Sequence, residues 1–240
     1  MGANAVTARE GVGDLEAVAL AALELVREDD RLGLGTGRAA TAFVAALGRR
    51  VKDGLRVAAL PTSGTTAVFA RSLGIPLLDP REAPPLHLVV DGADEVAPSL
   101  DLIKGYGGAL VREKIVASLG KRFVVLVGEE KLVARLGERG RIPVEVLPFA
   151  TGFVAGRVRQ LGLEGVVRLA AGEPWETDNG NWILDCRTAP IADPAALDRE
   201  LVQIPGVVGT GIFAGMADLV LVGAAAGVRR LERCGAREAR

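Results

Sequence analysis

Residues able to do chemistry gather at three places in this 240-residue chain. The stretch "DGADEV", Asp91 to Val96, holds Asp91, Asp94 and Glu95 directly after the apolar run "LHLVV". Like charges repel, so such a cluster is either a solvated loop or a point that needs proton acceptors held in place. In "LIKGYGGALVREK", Lys104 precedes a glycine-rich turn and Glu113 falls in the first turn of the helix that follows. Backbone N–H groups around Gly105, Tyr106 and Gly107 could hold an oxyanion, the lysine adds positive charge, and a carboxylate nearby could act as a base. An acid early in a helix also suits the dipole alone, so Glu113 gains weight only from the acids at the adjacent strand end. The third place is "GTGRAAT", Gly35 to Thr41, a glycine turn opening a helix whose free N–H groups could cradle a phosphate. It also fits GxGxxA, the dinucleotide fingerprint, which expects an acid at the end of the next strand. That strand ends in "PTSG", which favours a lone phosphate, with a turn needed only for packing as the bland alternative.

Positioning these residues requires a particular order of elements. Residues 14–26 have helical apolar spacing and an acidic first turn. Strand, small polar turn and helix then alternate through residue 137, which predicts a parallel α/β sheet with helices on its faces. In a doubly wound sheet ligands bind beyond the carboxyl ends of the strands. Those ends carry Gly35, Thr36, Gly37, Arg38 and Ala39, then Thr62 and Ser63, then Gly92 and Ala93 among the acids, and Lys131 in "GEEK". Residues 138–214 change character. They read as strand, helix, a hairpin turning at Asp178 to Asn181, a helix capped by Asp193 with Pro194 at its first position, and a strand "VVGTGIF". That content predicts a small α+β domain inserted into a Rossmann-like domain of residues 1–137 plus 215–240. The apolar "ADLVLVGAAAGV" reads as a buried strand returning to the first sheet, and "RRLERCGAREAR" as a solvated or frayed helix end.

Composition excludes several classes. The net charge of −1 gives no field to attract nucleic acid or an anionic membrane. Two cysteines without CxxC spacing argue against a disulfide scaffold or a cysteine zinc site, and point to a reducing cytoplasm. The one histidine, His87, lies in an apolar strand and reads as core, which leaves zinc and Ser-His-Asp chemistry without a ligand or base. No apolar run is long enough for a membrane span, and "MGANAVTARE" carries no signal-peptide core.

Together "GLGTG", "DGADEV", "LIKGYGGALVREKIVA", "KLV", "PVEV", "TDNGNWILD" and "IPGVVGTGIF" resemble the type A ribose-5-phosphate isomerase family, in order and spacing, over nearly the whole chain. The resemblance implies a Rossmann-like domain with an inserted ferredoxin-like domain, and interconversion of ribose 5-phosphate and ribulose 5-phosphate through an enediolate. No metal or organic cofactor is implied, and the assembly would be a homodimer or homotetramer. It implies Glu113 as the base, Lys104 and nearby backbone N–H groups as holders of enediolate charge, Asp91 and Asp94 as acids for ring opening and sugar hydroxyls, and Lys131 as a substrate contact. The chain departs from the family pattern in four places. Arg38 and Ala39 stand where two hydroxyl residues are usual, and "DLEAVAL" lacks a phosphate-binding lysine. Tyr106 enters the catalytic glycine turn, and "GEEK" lacks the usual Asp and Ser. Isomerisation of another sugar phosphate, or non-catalytic sugar-phosphate binding on the same fold, are the alternatives.

Overall fold

The protein is described by a computed structural model covering residues 15–82 and 84–233. Residues 15–23 form helix α1. There follow β1 (Asp30–Leu34), α2 (Arg38–Lys52), β2 (Val57–Pro61), α3 (Gly64–Ser72), β3 (Leu88–Gly92), β4 (Glu95–Val96) and β5 (Leu102–Ile103). Next come α4 (Leu110–Leu119), β6 (Phe123–Gly128), β7 (Arg141–Val146), α5 (Thr151–Gln160), β8 (Glu164–Val167), β9 (Leu169–Ala170) and β10 (Glu173–Pro174). The chain closes with β11 (Trp182–Arg187), α6 (Pro194–Val202), β12 (Val207–Thr210), β13 (Ile212–Phe213), β14 (Leu219–Ala224) and β15 (Gly227–Glu232). Two compact units result. One holds residues up to Ala93, Ile115–Lys131 and those from Met216 on; the other holds Asp94–Lys114 and Leu132–Gly215.

The first unit is built on a six-stranded sheet in the order β15-β14-β6-β3-β1-β2. Five strands are parallel and only β15 runs against its neighbour. The run "FVVLVG" is buried along its whole length, as a central parallel strand covered on both faces must be. The returning strand β14 pairs in parallel with β6, as its apolar composition predicts. Helix α2 turns Phe43, Val44 and Leu47 into the core against Leu34, Val90 and Leu126.

Two expectations fail in this unit. His87 is not core: its side chain is 36% exposed, and its Nδ1 accepts the Arg31 N–H at 3.0 Å. It stands one residue before β3 begins, at the rim of the sheet, where a ring can cap the neighbouring strand. The "RRLE" segment is not a helix end. It lies in β15, because a tight turn between the paired residues Ala224 and Gly227 folds the chain back on β14. Arg229, Arg230 and Glu232 then lie on a sheet edge, where charge discourages pairing with another chain. The last residues of that tail are outside the described range.

The second unit contains a four-stranded antiparallel sheet in the order β12-β7-β11-β8. With α5 and α6 it follows the β-α-β-β-α-β course of a ferredoxin-like domain. Asp193 accepts the Ala196 N–H, and Pro194 opens α6, as the sequence predicts. The turn at 177–181 also forms, with Gly180 N–H donating to the Thr177 carbonyl. The "VVGTGIF" segment is two strands rather than one. A register shift between Val207 and Gly209 bends the chain, and β13 leaves for a three-stranded sheet with β5 and β4.

Glu95 explains one of the clustered acids. It is fully buried, and it accepts the N–H groups of Gly137 at 2.6 Å and Arg139 at 2.9 Å. It therefore fastens the loop before β7 and is not an available acid. Glu95→Gln leaves one of those N–H groups facing an amide donor, so we expect a loss of about 1–3 kcal/mol in urea-induced unfolding; an unchanged midpoint would show that the loop does not depend on Glu95.

Candidate active site

In the second unit, β5 delivers Lys104 and the first turn of α4 delivers Glu113. The Lys104 N–H donates to the Gly211 carbonyl at 2.9 Å, which fixes the lysine backbone beside the bend between β12 and β13. Its Nζ lies 3.1 Å from Glu113 Oε1, with side-chain exposures of only 2% and 6%. The ammonium also stands 5.5 Å from the centre of the Phe213 ring. A carboxylate and an ammonium this deeply buried form a proton acceptor with a cation held beside it.

Between them runs the glycine turn. Gly105 and Gly108 adopt φ values of 101° and 86°, which side-chain-bearing residues rarely adopt. Tyr106 N–H donates to Asp94 Oδ2 at 2.9 Å, so Asp94 holds the turn from one side. The tyrosine that departs from the family pattern fits without disturbing this. Its ring packs under the Arg141 guanidinium at 4.0 Å, and its hydroxyl donates to the Arg141 carbonyl. Burial, and the negative charge of Glu95, push the Tyr106 phenol above its ordinary value, so it stays protonated at neutral pH.

Residues on either side of Glu113 are also tied down, a feature absent from the sequence reading. Arg112 Nε donates to Asn179 Oδ1 at 2.7 Å, and its guanidinium also meets Asp178. Asn179 and Asn181 in turn donate to the buried Glu145 at 2.9 Å, which accounts for the "PVEV" and "TDNGN" motifs. Lys114 reaches Asp198 and Thr210 at 3.2 and 3.3 Å. Burial pushes the Lys114 ammonium below the usual lysine value, against the pull of Asp198. The REK triplet could have signalled this only to a reader who knew where α6 and the 177–181 turn would lie.

In the first unit, Asp91 is 1% exposed at the end of β3. Its Oδ1 accepts the N–H groups of Gly92 at 2.7 Å and Thr36 at 3.1 Å. The Gly35–Ala39 loop therefore leans on the carboxylate. A Cβ on Gly35 would lie 2.0 Å from Asp91 Oδ1 and 2.5 Å from its Cα, so only glycine fits. Thr36 Oγ1 sits among the hydroxyls of Thr62, Ser63 and Thr66 at 2.8, 2.9 and 3.2 Å. Thr66, at the end of the "PTSGTT" strand-end segment and not singled out by its sequence, closes the cluster by donating to the Gly35 carbonyl at 3.0 Å. Ser63 also caps α3 through the Thr66 N–H. Gly37, at φ 109°, precedes α2, whose first residue Arg38 is exposed while Ala39 is buried. Gly92 and Ala93 are half-buried after Asp91, Gly107 is exposed, and Lys131 is half-buried in a short 3-10 turn after β6.

A buried carboxylate beside a lysine at a glycine turn, carried on an α/β fold, has the chemistry to accept a proton and hold the charge left behind, as an enzyme moving a proton next to a carbonyl requires. Residues 58–227 match the family described as ribose 5-phosphate isomerase A (phosphoriboisomerase A), and the chain belongs to that family. It is 48% identical over 220 residues to ribose-5-phosphate isomerase A of Thermomicrobium roseum, covering 91% of this chain and 93% of that one. A solved D-ribose-5-phosphate isomerase in complex with phospho-erythronic acid superposes with a TM-score of 0.90 at 38% identity, over 92% of this chain and 98% of the other. The isomerase A structure from Methanocaldococcus jannaschii gives 0.88 at 42% identity, over 92% and 98%.

Because its Cβ would overlap Asp91, Gly35→Ala must displace either the loop or the carboxylate. We expect at least a tenfold loss of catalytic efficiency, about 1.4 kcal/mol, with the protein still folded by circular dichroism. Wild-type kinetics in that variant would show that the loop need not lie against Asp91.

Proposed function

We propose that this chain interconverts ribose 5-phosphate and ribulose 5-phosphate, with Glu113 as the base. The observation that carries the reading is the buried Lys104–Glu113 pair at 3.1 Å. Glu113 takes the proton from C2 of the open-chain aldose. The C–H electrons form a C1–C2 double bond, and the carbonyl π electrons move to O1. Lys104 and the N–H groups of the glycine turn balance the negative charge of the resulting enediolate. The O2 proton passes to O1, C2 becomes the carbonyl carbon, and Glu113 returns its proton to C1. Asp91 and Asp94 serve the sugar hydroxyls and ring opening, with Thr62, Ser63, Gly92, Ala93 and Lys131 as further substrate contacts. The relative solved with phospho-erythronic acid supports a four- or five-carbon phosphorylated ligand.

The phosphate falls to the Gly35–Ala39 loop, where Arg38 offers what the missing hydroxyls and lysine do not. It is exposed at the start of α2, and a guanidinium can hold two phosphate oxygens at once. Assembly into a homodimer or homotetramer gains support from Phe149, fully exposed, and Phe153, about half exposed, on the second unit. A reducing cytoplasm suits Cys186, whose thiol burial pushes up to about 12 and so keeps unreactive. Among the described residues no helix is long and apolar enough to cross a membrane.

Turnover assayed on ribose 5-phosphate beside a panel of other aldose phosphates tests the activity itself, with ribose 5-phosphate expected as the preferred substrate. Glu113→Gln keeps size and hydrogen bonding but cannot accept the proton; kcat should fall by about 10²–10⁴-fold or more, with substrate still bound. Near-normal turnover in that variant would remove Glu113 from the role. Arg38→Ala should raise KM for the phosphorylated sugar about tenfold or more, as loss of a charged hydrogen bond does, and change kcat less, because the phosphate is held alike in ground and transition states. An unchanged KM would leave Arg38 a surface residue.

A further inference from the structure

Arg168 lies just after β8 and has no place in the reaction as described above. Its contacts are unusually complete. Nε donates to Asp185 Oδ2 at 2.9 Å and Nη2 to Asp185 Oδ1 at 2.5 Å, a two-pronged pair with side-chain exposures of 14% and 16%. Nη1 donates to two successive backbone carbonyls, those of Gly105 at 3.1 Å and Tyr106 at 3.0 Å. The guanidinium carbon also stands 5.8 Å from the centre of the Trp175 ring. Trp175 closes the same turn from another side, since a Cβ on Gly108 would meet its ring at 1.8 Å.

Those two carbonyls belong to the turn that, with Lys104, balances the enediolate charge in the proposed function. No cis peptide bond occurs among the described residues, so each carbonyl and the following N–H point in opposite directions. The first plane shows it: the Gly105 carbonyl meets Arg168 while the Tyr106 N–H meets Asp94. In the second plane the Tyr106 carbonyl meets Arg168, so the Gly107 N–H is turned away from the arginine. Gly107 is exposed, and a Cβ there would meet nothing within 4 Å. A free glycine-rich turn would sample other orientations of this peptide. The arginine, itself held by Asp185 on the central strand β11, removes that freedom.

We propose that Arg168, fixed by Asp185, is a positioning residue that locks the 105–107 peptides so that the Gly107 N–H faces the developing enediolate oxygen. This rests on the isomerase reading above and extends it to a residue that never touches substrate. A lysine can keep the charge but cannot grip a carboxylate and two carbonyls in one plane.

The test compares Arg168→Lys, Asp185→Asn and the double variant with wild type. Steady-state turnover of ribose 5-phosphate should lose about 10–10²-fold in kcat with KM nearly unchanged, somewhat less than removal of a whole oxyanion donor. Affinity for phospho-erythronic acid, whose carboxylate stands in for the charged enediolate oxygens, should fall in proportion to kcat. The double variant should lose no more than Arg168→Lys alone, because both act through one turn. The ¹⁵N–¹H resonance of Gly107 should shift in both single variants, a readout that does not depend on turnover. Wild-type turnover decides the isomerase reading by itself, and the variant-to-wild-type comparison and the Gly107 resonance decide the role of Arg168. If kcat is unchanged in Arg168→Lys, if the two substitutions add, or if the Gly107 resonance stays in place, the proposal is overturned. A fall in thermal midpoint with no change in kcat at a temperature where the variant is folded overturns it as well, since that is the signature of a purely structural arginine.

Discussion

The proposed chemistry rests on a buried ion pair in the second unit, Lys104 with Glu113. Taking either charge out of water alone costs several kcal/mol, and the pair is tolerated only if its geometry is fixed. The fold fixes both ends. Lys104 is anchored by its backbone to Gly211, where a Cβ would lie 2.2 Å from the Lys104 carbonyl oxygen. Glu113 is anchored by the helix turn that carries it, with its N–H bonded to the Ala109 carbonyl. Arg112 and Lys114 tie the same turn to the 177–181 loop and to α6 and β12. The ion pairs of Arg112 are more than a third exposed and add little to stability. In the proposed mechanism their value lies in direction, since a displacement of about 1 Å at a reacting group can cost about 10²-fold in rate.

The first unit holds in shape the Gly35–Ala39 backbone loop, to which the proposed function gives the phosphate. Hydroxyls do this: Thr36, Thr62, Ser63 and Thr66 form one hydrogen-bonded set that also donates to the Gly35 carbonyl. Asp91 takes two N–H groups that would otherwise be free to turn. The Arg38 side chain can then vary, since the loop is shaped by groups beneath it.

Much of this could be read from the chain because the relevant signals were local. Strand ends, glycine turns and the acid in the first turn of α4 are properties of short windows, as is the Asp193–Pro194 start of α6. Relations between distant segments could not be read that way. Nothing around Glu95 shows that it would fasten residues 137 and 139, and nothing near Arg168 shows that it would hold a turn some sixty residues earlier. His87 and the C-terminal strand depart from expectation for a related reason: apolar neighbours and a charged tail describe composition, while exposure depends on where the sheet has its rim. Thr66 cannot be singled out from its window, because a threonine inside "SGTT" looks like turn chemistry until its hydroxyl is seen to donate to the Gly35 carbonyl.

The central claim is that a carboxylate moves a proton through an enediolate, as opposed to a hydride passing directly between C1 and C2. Proton NMR of ribose 5-phosphate held with the protein in heavy water over many turnovers addresses it most directly. The account predicts deuterium at C2 of ribose 5-phosphate and at C1 of ribulose 5-phosphate, since a proton resting on Glu113 has time to exchange with solvent. Complete interconversion with no deuterium at either carbon would contradict it.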